Sequence, residues 1–377
     1  MCTIMNHKDV CKNKLKILFF SVNRHQKKYF DTIVNMGDSG WVSIHKRELS
    51  LVFRSFYIPF SDLRVIYDVV RMRHKYNKNK NSITSQNKIL SRSRSVYNFI
   101  SSYFFMLKVK SFFLENKFLM VVLWNDMKWQ QYIVKAVAKN LGVKTAFFEN
   151  GAIPNTVTID PKGVNYNNSV PRKTQYYCNR QDELANENNV RISTCEGYIF
   201  APFQVDYDTQ IISHSPWIAD MDEFYCVLES LLITLPETID IYIKEHPASS
   251  RSYQHLHHLN SRIKFVNDDS TSALISGAEM VITINSTVGL ESIIQNKSVI
   301  VLGNAFYSIP GLCRKAKTRS ELIALSKSIV IPDYHVKDAF LNYLKNSYYV
   351  EGDWHLPTAE HVANVERKLR EYSGCNL

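Results

Sequence analysis

The sequence predicts an α/β protein built from two Rossmann-like domains that face each other across a cleft. Three observations carry that expectation. At 377 residues the chain exceeds what one hydrophobic core usually holds, so two domains of roughly 150 to 200 residues are the default. Short β-branched apolar runs alternate with amphipathic helical stretches in both halves, the pattern of parallel strands joined by crossover helices. Two of those runs, Ile243-Lys244-Glu245-His246-Pro247 and Ile282-Thr283-Ile284-Asn285-Ser286-Thr287-Val288-Gly289-Leu290-Glu291, stop abruptly in polar groups, as strands of an open α/β sheet do where ligands bind.

In chain order, residues 15–22 read as a first strand and Gln26 to Met36 as the helix after it, ended at Gly37. Phe118 to Trp124 reads as a buried strand, Lys128 to Leu141 as an amphipathic helix stopped by Gly142, and Lys144 to Phe148 as the next strand, which together make a βαβ unit. Glu149-Asn150-Gly151 is another polar strand end. From Pro154 to Arg180 the chain is rich in Asn, Pro and Thr without a helical period, so irregular loop and short strands are expected. A fresh alternation follows: strand Tyr198 to Phe203, helix Met221 to Ile233, strands Ile239 to Lys244 and Ile263 to Val266, helix Ser270 to Ser276, strand Met280 to Ile284, helix Val288 to Gln295 and strand Ser298 to Leu302. The domains are therefore set at residues 1–195 and 196–358, with 359–377 a terminal helix (Ala359 to Tyr372) packing back on the first.

Composition narrows the class. Hydrophobic residues at 45% and charged residues at 21% describe an ordinary globular protein. No apolar run reaches the roughly eighteen residues a membrane helix needs, and the first apolar run breaks into Arg24, His25, Gln26, Lys27 and Lys28, which argues against a signal peptide and for the cytoplasm. The seven cysteines are odd in number, scattered and without a C-x-x-C pair, so they read as reduced packing residues and no metal site is expected. Residues 1–115 hold 21 Lys and Arg against 7 Asp and Glu, or +14, which leaves 25 against 28, or −3, for the rest. The stretch from Arg71 through Arg73, Lys75, Lys78 and Lys80, then Arg92 and Arg94, then Tyr97, Phe99, Tyr103, Phe104 and Phe105, mixes positive charge with aromatic surface and suits an anionic membrane face. No nucleic-acid signature accompanies it. The plainer alternative is a mobile solvated loop from Lys75 to Ser95.

The chemistry falls at strand ends. Asn285, Ser286 and Thr287 stand where a helix starts, so hydroxyls and free N–H groups converge with the positive end of the helix dipole to form a phosphate site. Lys244 and His246, on a loop stiffened by Pro247, suit a second phosphate oxygen or a leaving group. An ordinary turn and an ordinary N-cap are the bland alternatives. Transfer of a sugar from a nucleotide needs a carboxylate near the anomeric carbon, and Glu149, Asp160 (in the loop from Thr158 to Asn165) and Asp208 are the candidates; a solvated cap or a salt bridge is the plainer reading of Asp160 and of Asp206.

These residues resemble a family. Gln204-x-x-x-Asp208, His214-Ser215-Pro216, Lys244-x-His246-Pro247, the run from Asn285 to Glu291, Val301-Leu302-Gly303-Asn304-Ala305-Phe306-Tyr307 and Ile309-Pro310-Gly311-Leu312 look like the bacterial capsular polysaccharide β-Kdo transferases, especially the single-module type that starts the glycolipid linker of exported capsules. Phe148-Glu149-Asn150-Gly151, Gly163-Val164-Asn165 and Ser169-Val170-Pro171-Arg172 match upstream, so the resemblance covers roughly residues 118 to 312.

It implies a glycosyltransferase B-type fold with an acceptor-binding first domain and a donor-binding second, CMP-β-Kdo as donor with no further cofactor, and retained anomeric configuration. Asp208 becomes the nucleophile, with Asp160 the next candidate, and Glu149 the base. Gln204, His214, Ser215, Lys244, His246, Pro247, Asn285, Ser286, Thr287 and Glu291 become the CMP-sugar set, Glu291 reaching the ribose. The partners implied are a lipid or lipid-linked glycan acceptor, the anionic inner face of the cytoplasmic membrane, where the protein would be peripheral, and other polysaccharide-assembly enzymes. After Glu149 the family's aromatic and Arg are missing, which leaves the acceptor open. A CMP-sialic acid transferase shares the same site physics, and a non-catalytic membrane-surface scaffold is the reading from another class.

Overall fold

The computed structural model describes residues 16–50, 60–80, 88–178, 190–192 and 197–374. Leu15, residues 81–87 of the stretch expected to be a loop, Asn179 and Arg180, and Cys2, Cys11, Cys195 and Cys375 lie outside them. The chain divides into two compact units, one of residues 1–74, 85–169 and 345–377, the other of residues 75–84 and 170–344. The sequence reading set its divisions at 195/196 and 358/359.

The first unit begins with β1 (Ile17–Ser21), wholly buried, and α1 (Arg24–Met36), whose N-cap Asn23 accepts a hydrogen bond from Gln26 N at 2.9 Å. Helix α1 stops at Gly37, where a Cβ would lie 2.6 Å from the Trp41 ring. β2 (Trp41–His45) follows, then α2 (Phe60–Lys80), whose residues from Lys75 onward are counted with the second unit, and α3 (Lys88–Asn116). These two helices replace the solvated loop considered for residues 75–95 over all its described positions. The Lys/Asn-rich composition hid an apolar spacing in α2, where Ile66 and Val69 are buried in one cluster with Met106, Val109 and Phe113 of α3. β3 (Met120–Trp124), α4 (Trp129–Asn140), β4 (Lys144–Asn150) and β5 (Thr156–Asp160) complete the stretch. β1, β2, β3 and β4 run parallel, while β5 returns antiparallel to β4 within the segment expected to be irregular.

The second unit carries β6 (Val190–Ile192), β7 (Gly197–Pro202), α5 (Thr209–His214), α6 (Met221–Glu229), β8 (Ile239–Lys244), β9 (Ile263–Phe265), α7 (Thr271–Gly277), β10 (Met280–Thr283), α8 (Thr287–Ile294), β11 (Ser298–Val301), β12 (Arg314–Lys315), α9 (Arg319–Ser326), β13 (Ser328–Val330) and α10 (Tyr334–Tyr343). Its six-stranded sheet is parallel throughout, in the order β12-β11-β10-β7-β8-β9. β13 pairs antiparallel with β6 in a separate ribbon. From β7 the sheet grows one way through β8 and β9 and the other way through β10, β11 and β12, so a topological switch point lies between β7 and β10.

The chain ends in the first unit with β14 (Val350–Glu351) and α11 (Ala359–Ser373), which give that sheet the order β14-β5-β4-β3-β1-β2. Alternation along β1 sends Ile17 and Phe19 into a cluster with Phe30, Trp41 and Val362, Val365 and Leu369 of α11. Leu18 and Phe20 go to the opposite face, among Ile133 and Val134 of α4 and Met106 of α3. Among the described residues no helix is long and apolar enough to cross a membrane.

Candidate functional site

The switch point of the second unit gathers the predicted donor residues. Gln204, two residues past β7, and Asn285, two past β10, are both buried and face each other. Gln204 Nε2 donates to Asn285 Oδ1 at 2.9 Å, and Asn285 N donates to Gln204 Oε1 at 3.2 Å. The Asn285 amide also donates to the Gln210 carbonyl at 3.0 Å. Two residues expected to touch the nucleotide thus fasten two strand ends together.

Ser286 is the N-cap of α8, with its Oγ accepting from Val288 N at 3.2 Å, and Thr287 beyond it is exposed. The buried Tyr307 hydroxyl donates to the Ser286 carbonyl, and burial pushes its pKa well above the ordinary tyrosine value, which keeps it a donor. A Cβ on Gly289 would fall 2.2 Å from the Tyr307 hydroxyl, so the glycine serves close packing one turn into the helix. Glu291 is exposed on that helix, and desolvation by the protein around its carboxyl raises its pKa.

At the end of β8 the predicted cationic pair separates. Lys244 Nζ is committed to the carbonyls of Asn267 at 2.5 Å and Asp269 at 2.6 Å, which ties down the loop after β9. His246 is exposed beside Pro247, and its Nδ1 accepts from Ala248 N at 3.1 Å, so Nε2 is the nitrogen left to meet a ligand. His214 and Ser215 are buried at the end of α5, with Ser215 Oγ donating to the Ile218 carbonyl and Asn304 N donating to the His214 carbonyl at 2.8 Å. That motif builds the wall behind the switch point.

The carboxylates differ sharply in what they have left to offer. Asp160 ends β5 rather than lying in a loop, and is fully buried. Its oxygens accept from Lys162 N, Gly163 N, Ser169 N, Ser169 Oγ and the Tyr348 hydroxyl at 2.7 to 3.2 Å, which leaves no free lone pair for chemistry. Asp206 is likewise consumed, by Arg251 Nη1 at 2.8 Å, the Tyr253 hydroxyl at 2.8 Å and Met221 N at 2.7 Å. Asp208 is exposed. It caps α5 through Oδ1, which accepts from Gln210 N at 2.8 Å. In the first unit Glu149 is half-buried near the end of β4, accepting from Trp124 Nε1 at 3.3 Å and Asn125 Nδ2 at 3.0 Å.

Sequence reasoning missed several of these supports. Asn125, at φ 70°, turns the chain after β3 and aims its amide at Glu149; an Asn just past a strand is the signal that was available. Buried Asp126 pairs with Lys135 at 2.8 Å and accepts from Val164 N and Asn167 Nδ2, holding the loop after β5. At the carboxyl ends of β1 and β2, Arg24, Lys28, Lys46 and Arg47 line a cavity beside the Lys27–Asp31 ion pair and Glu48, so positive charge is in excess there.

Comparison with known proteins agrees with the architecture. A model of the family described as capsule polysaccharide biosynthesis protein matches residues 120–194 and 175–355. Protein FixF of Sinorhizobium fredii is 36% identical over 252 residues, covering 63% of this chain and 62% of that protein. The capsule polysaccharide export protein KpsS of Escherichia coli is 36% identical over 124 residues, 30% of this chain and 32% of that protein. The chain therefore spans less than two thirds of the length of either relative. Among solved structures, the β-Kdo 2,7 transferase of Thermosulfurimonas dismutans KpsC superposes with a TM-score of 0.51 at 14% identity, over 93% of this chain and 98% of that one. The likeness is one of fold, and it bears out the expected glycosyltransferase B-type fold class with its two Rossmann-like domains.

Proposed function

The chain belongs to the capsule polysaccharide biosynthesis family, and on that premise we propose that it is a retaining β-Kdo glycosyltransferase, using CMP-β-Kdo and a lipid or lipid-linked glycan acceptor at the inner face of the cytoplasmic membrane. One observation carries the reading. Of the aspartates considered, Asp208 alone keeps an accessible carboxylate, and it stands four residues after Gln204, whose partner Asn285 leads directly into the Ser286 cap of α8.

In this reading an Asp208 carboxylate oxygen attacks the anomeric carbon of Kdo while the bond to the CMP phosphate breaks, so the negative charge leaves on CMP. The start of α8 at Ser286 and Thr287, with His246 Nε2, takes up that charge. Glu291, one turn further on, takes the ribose hydroxyls. The acceptor hydroxyl, losing its proton to a base, then attacks the same carbon and expels Asp208, and two inversions give net retention; Glu149 is the base that the family resemblance implies. Lys244, Gln204, His214 and Ser215 contribute by fixing the loops. An acceptor bearing a phosphate or carboxylate suits the basic cavity at β1 and β2.

The test is mass spectrometry and NMR of products from CMP-β-Kdo, and in parallel from CMP-sialic acid, with a panel of lipid and glycan acceptors. A β-linked Kdo product is expected. A sialylated product alone would replace the donor, and no donor-dependent product with any acceptor would favour the scaffold reading.

A further inference from the structure

Helix α3 is inside out over its first half. A helix packed on a soluble protein turns apolar residues inward and polar ones to water. Here the inward residues are Asn98 and Ser102, both buried, and Arg73 of α2 grips that face, with Nη1 donating to the Asn98 carbonyl at 3.2 Å, Ser101 Oγ at 2.7 Å and Ser102 Oγ at 3.2 Å. The outward residues are Val96, Tyr97, Ile100 and Phe104, at 58%, 66%, 48% and 46% exposure. With successive residues about 100° apart, these four share a stripe roughly 100° wide, and Arg92 and Arg94 fall on its two flanks. Both arginines are exposed. Further along, Met106, Leu107 and Val109 are buried and the helix recovers the ordinary pattern. Its only acidic residue is Glu115, at the far end.

We propose that the Val96, Tyr97, Ile100 and Phe104 stripe of α3, with Arg92 and Arg94, is a docking surface that enters the head-group region of an anionic phospholipid membrane. An apolar strip open to water calls for an apolar partner, and basic residues on both flanks with no carboxylate between select a negatively charged one. The +14 of residues 1–115 extends the same complementarity. This corrects the emphasis of the sequence reading on residues 71 to 80: Arg73 is spent on α3, and Lys75 Nζ donates to the Ile212 carbonyl at 2.6 Å. The inference deepens the reading of a lipid acceptor and rests on it for its purpose.

Sedimentation of the full chain with vesicles of phosphatidylglycerol and phosphatidylcholine, against phosphatidylcholine alone, tests it. Binding is expected with the anionic vesicles only. The triple variant Tyr97→Ser/Ile100→Ser/Phe104→Ser, which alters only exposed positions, should bind at least about tenfold more weakly. Arg92→Gln/Arg94→Gln should lose about fivefold for each charge, with a shallower salt dependence than the parent. Ile233→Ser, which removes an exposed apolar residue of the other unit, should bind as the parent does. Unchanged binding in the triple variant, equal binding to neutral vesicles, or a parent dimer that the triple variant makes monomeric without any lipid binding would overturn the proposal. Hydrolysis of CMP-Kdo in lipid-free solution should be equal in all these proteins, so lost sugar chemistry with retained lipid binding strikes the enzymatic reading and not this one.

Discussion

Gln204 and Asn285, 81 positions apart in sequence, satisfy each other through two hydrogen bonds at 2.9 and 3.2 Å where β7 and β10 end. The pair fixes the separation of the strand ends that flank the switch point, and so sets where α8 begins relative to the turn that carries Asp208. Both residues are buried, so neither has water to fall back on.

Gln204→Leu should therefore leave the Asn285 N–H and side-chain oxygen unpaired in a dry site, at a cost of about 1 to 3 kcal/mol. Urea denaturation should show the midpoint falling with little change in slope. A full-stability variant would mean that Asn285 finds other partners and that the pair is not a fastening.

Gly289 tests the packing of α8. Its Cβ position lies 2.2 Å from the Tyr307 hydroxyl and 3.0 Å from Thr283 Cγ2, so Gly289→Ala should cost about 1 to 3 kcal/mol by overpacking and pull the hydroxyl off the Ser286 carbonyl. Tyr307→Phe removes the first obstruction. The double variant should lose less stability than the two single losses added, and strict additivity would refute the contact.

Much of this was legible in the sequence because fully covered parallel strands read as unbroken apolar runs. β8 matches its predicted span Ile239 to Lys244, β7 lies one residue earlier at both ends than predicted, and β10 and β11 start where predicted and stop one residue sooner. The polar strand ends were legible for the same reason, since a polar residue after such a run has little choice but to sit at the sheet's edge. What the side chains do there was not. Asp160 is closed by Tyr348, 188 positions away, and Asp206 by Arg251, 45 away, so their saturation is a tertiary property. Lys244 looked like a phosphate ligand because charge alone gives no sign that carbonyls of the next loop would claim it. Helix α2 was obscured because Lys, Arg and Asn crowd its sequence around the buried Ile66 and Val69, and α3 because its first half turns Asn98 and Ser102 inward and Val96, Tyr97, Ile100 and Phe104 outward, against the usual pattern.

His361 predicts an acid-sensitive step. It is buried in α11 between the Tyr29 hydroxyl, 2.7 Å from Nε2, and the Glu351 carbonyl, 2.7 Å from Nδ1. With Nδ1–H donating to the carbonyl, Nε2 accepts from Tyr29, and desolvation lowers the pKa from 6.5. A lowered pKa means the unfolded chain binds the proton more tightly. Its contribution is therefore intact above about pH 6.5 and is lost as pH falls from there through the folded value. His361→Gln should flatten that part of the stability-pH curve. An equal slope in parent and variant would show that other groups carry it.

The sharpest comparison sets Asp208 against Asp160. Asp208→Asn keeps an oxygen to accept from Gln210 N, and Asn is a good N-cap, so α5 should hold and CMP affinity should change little. An amide is a poor nucleophile, however, and transfer should fall by about a thousandfold or more. Asp208→Ala should lose the same activity and, in addition, about 1 kcal/mol of stability with the cap. Asp160→Asn presents the opposite profile: one of its oxygens becomes an NH2 group facing donors among Lys162 N, Gly163 N, Ser169 N, Ser169 Oγ and the Tyr348 hydroxyl, so it should lose several kcal/mol of stability, and whatever remains folded at low temperature should still transfer sugar. Thermal melts and turnover measured on the same preparations separate the two. If Asp208→Asn transfers at the parent rate while folded Asp160→Asn does not, the nucleophile has been assigned to the wrong unit.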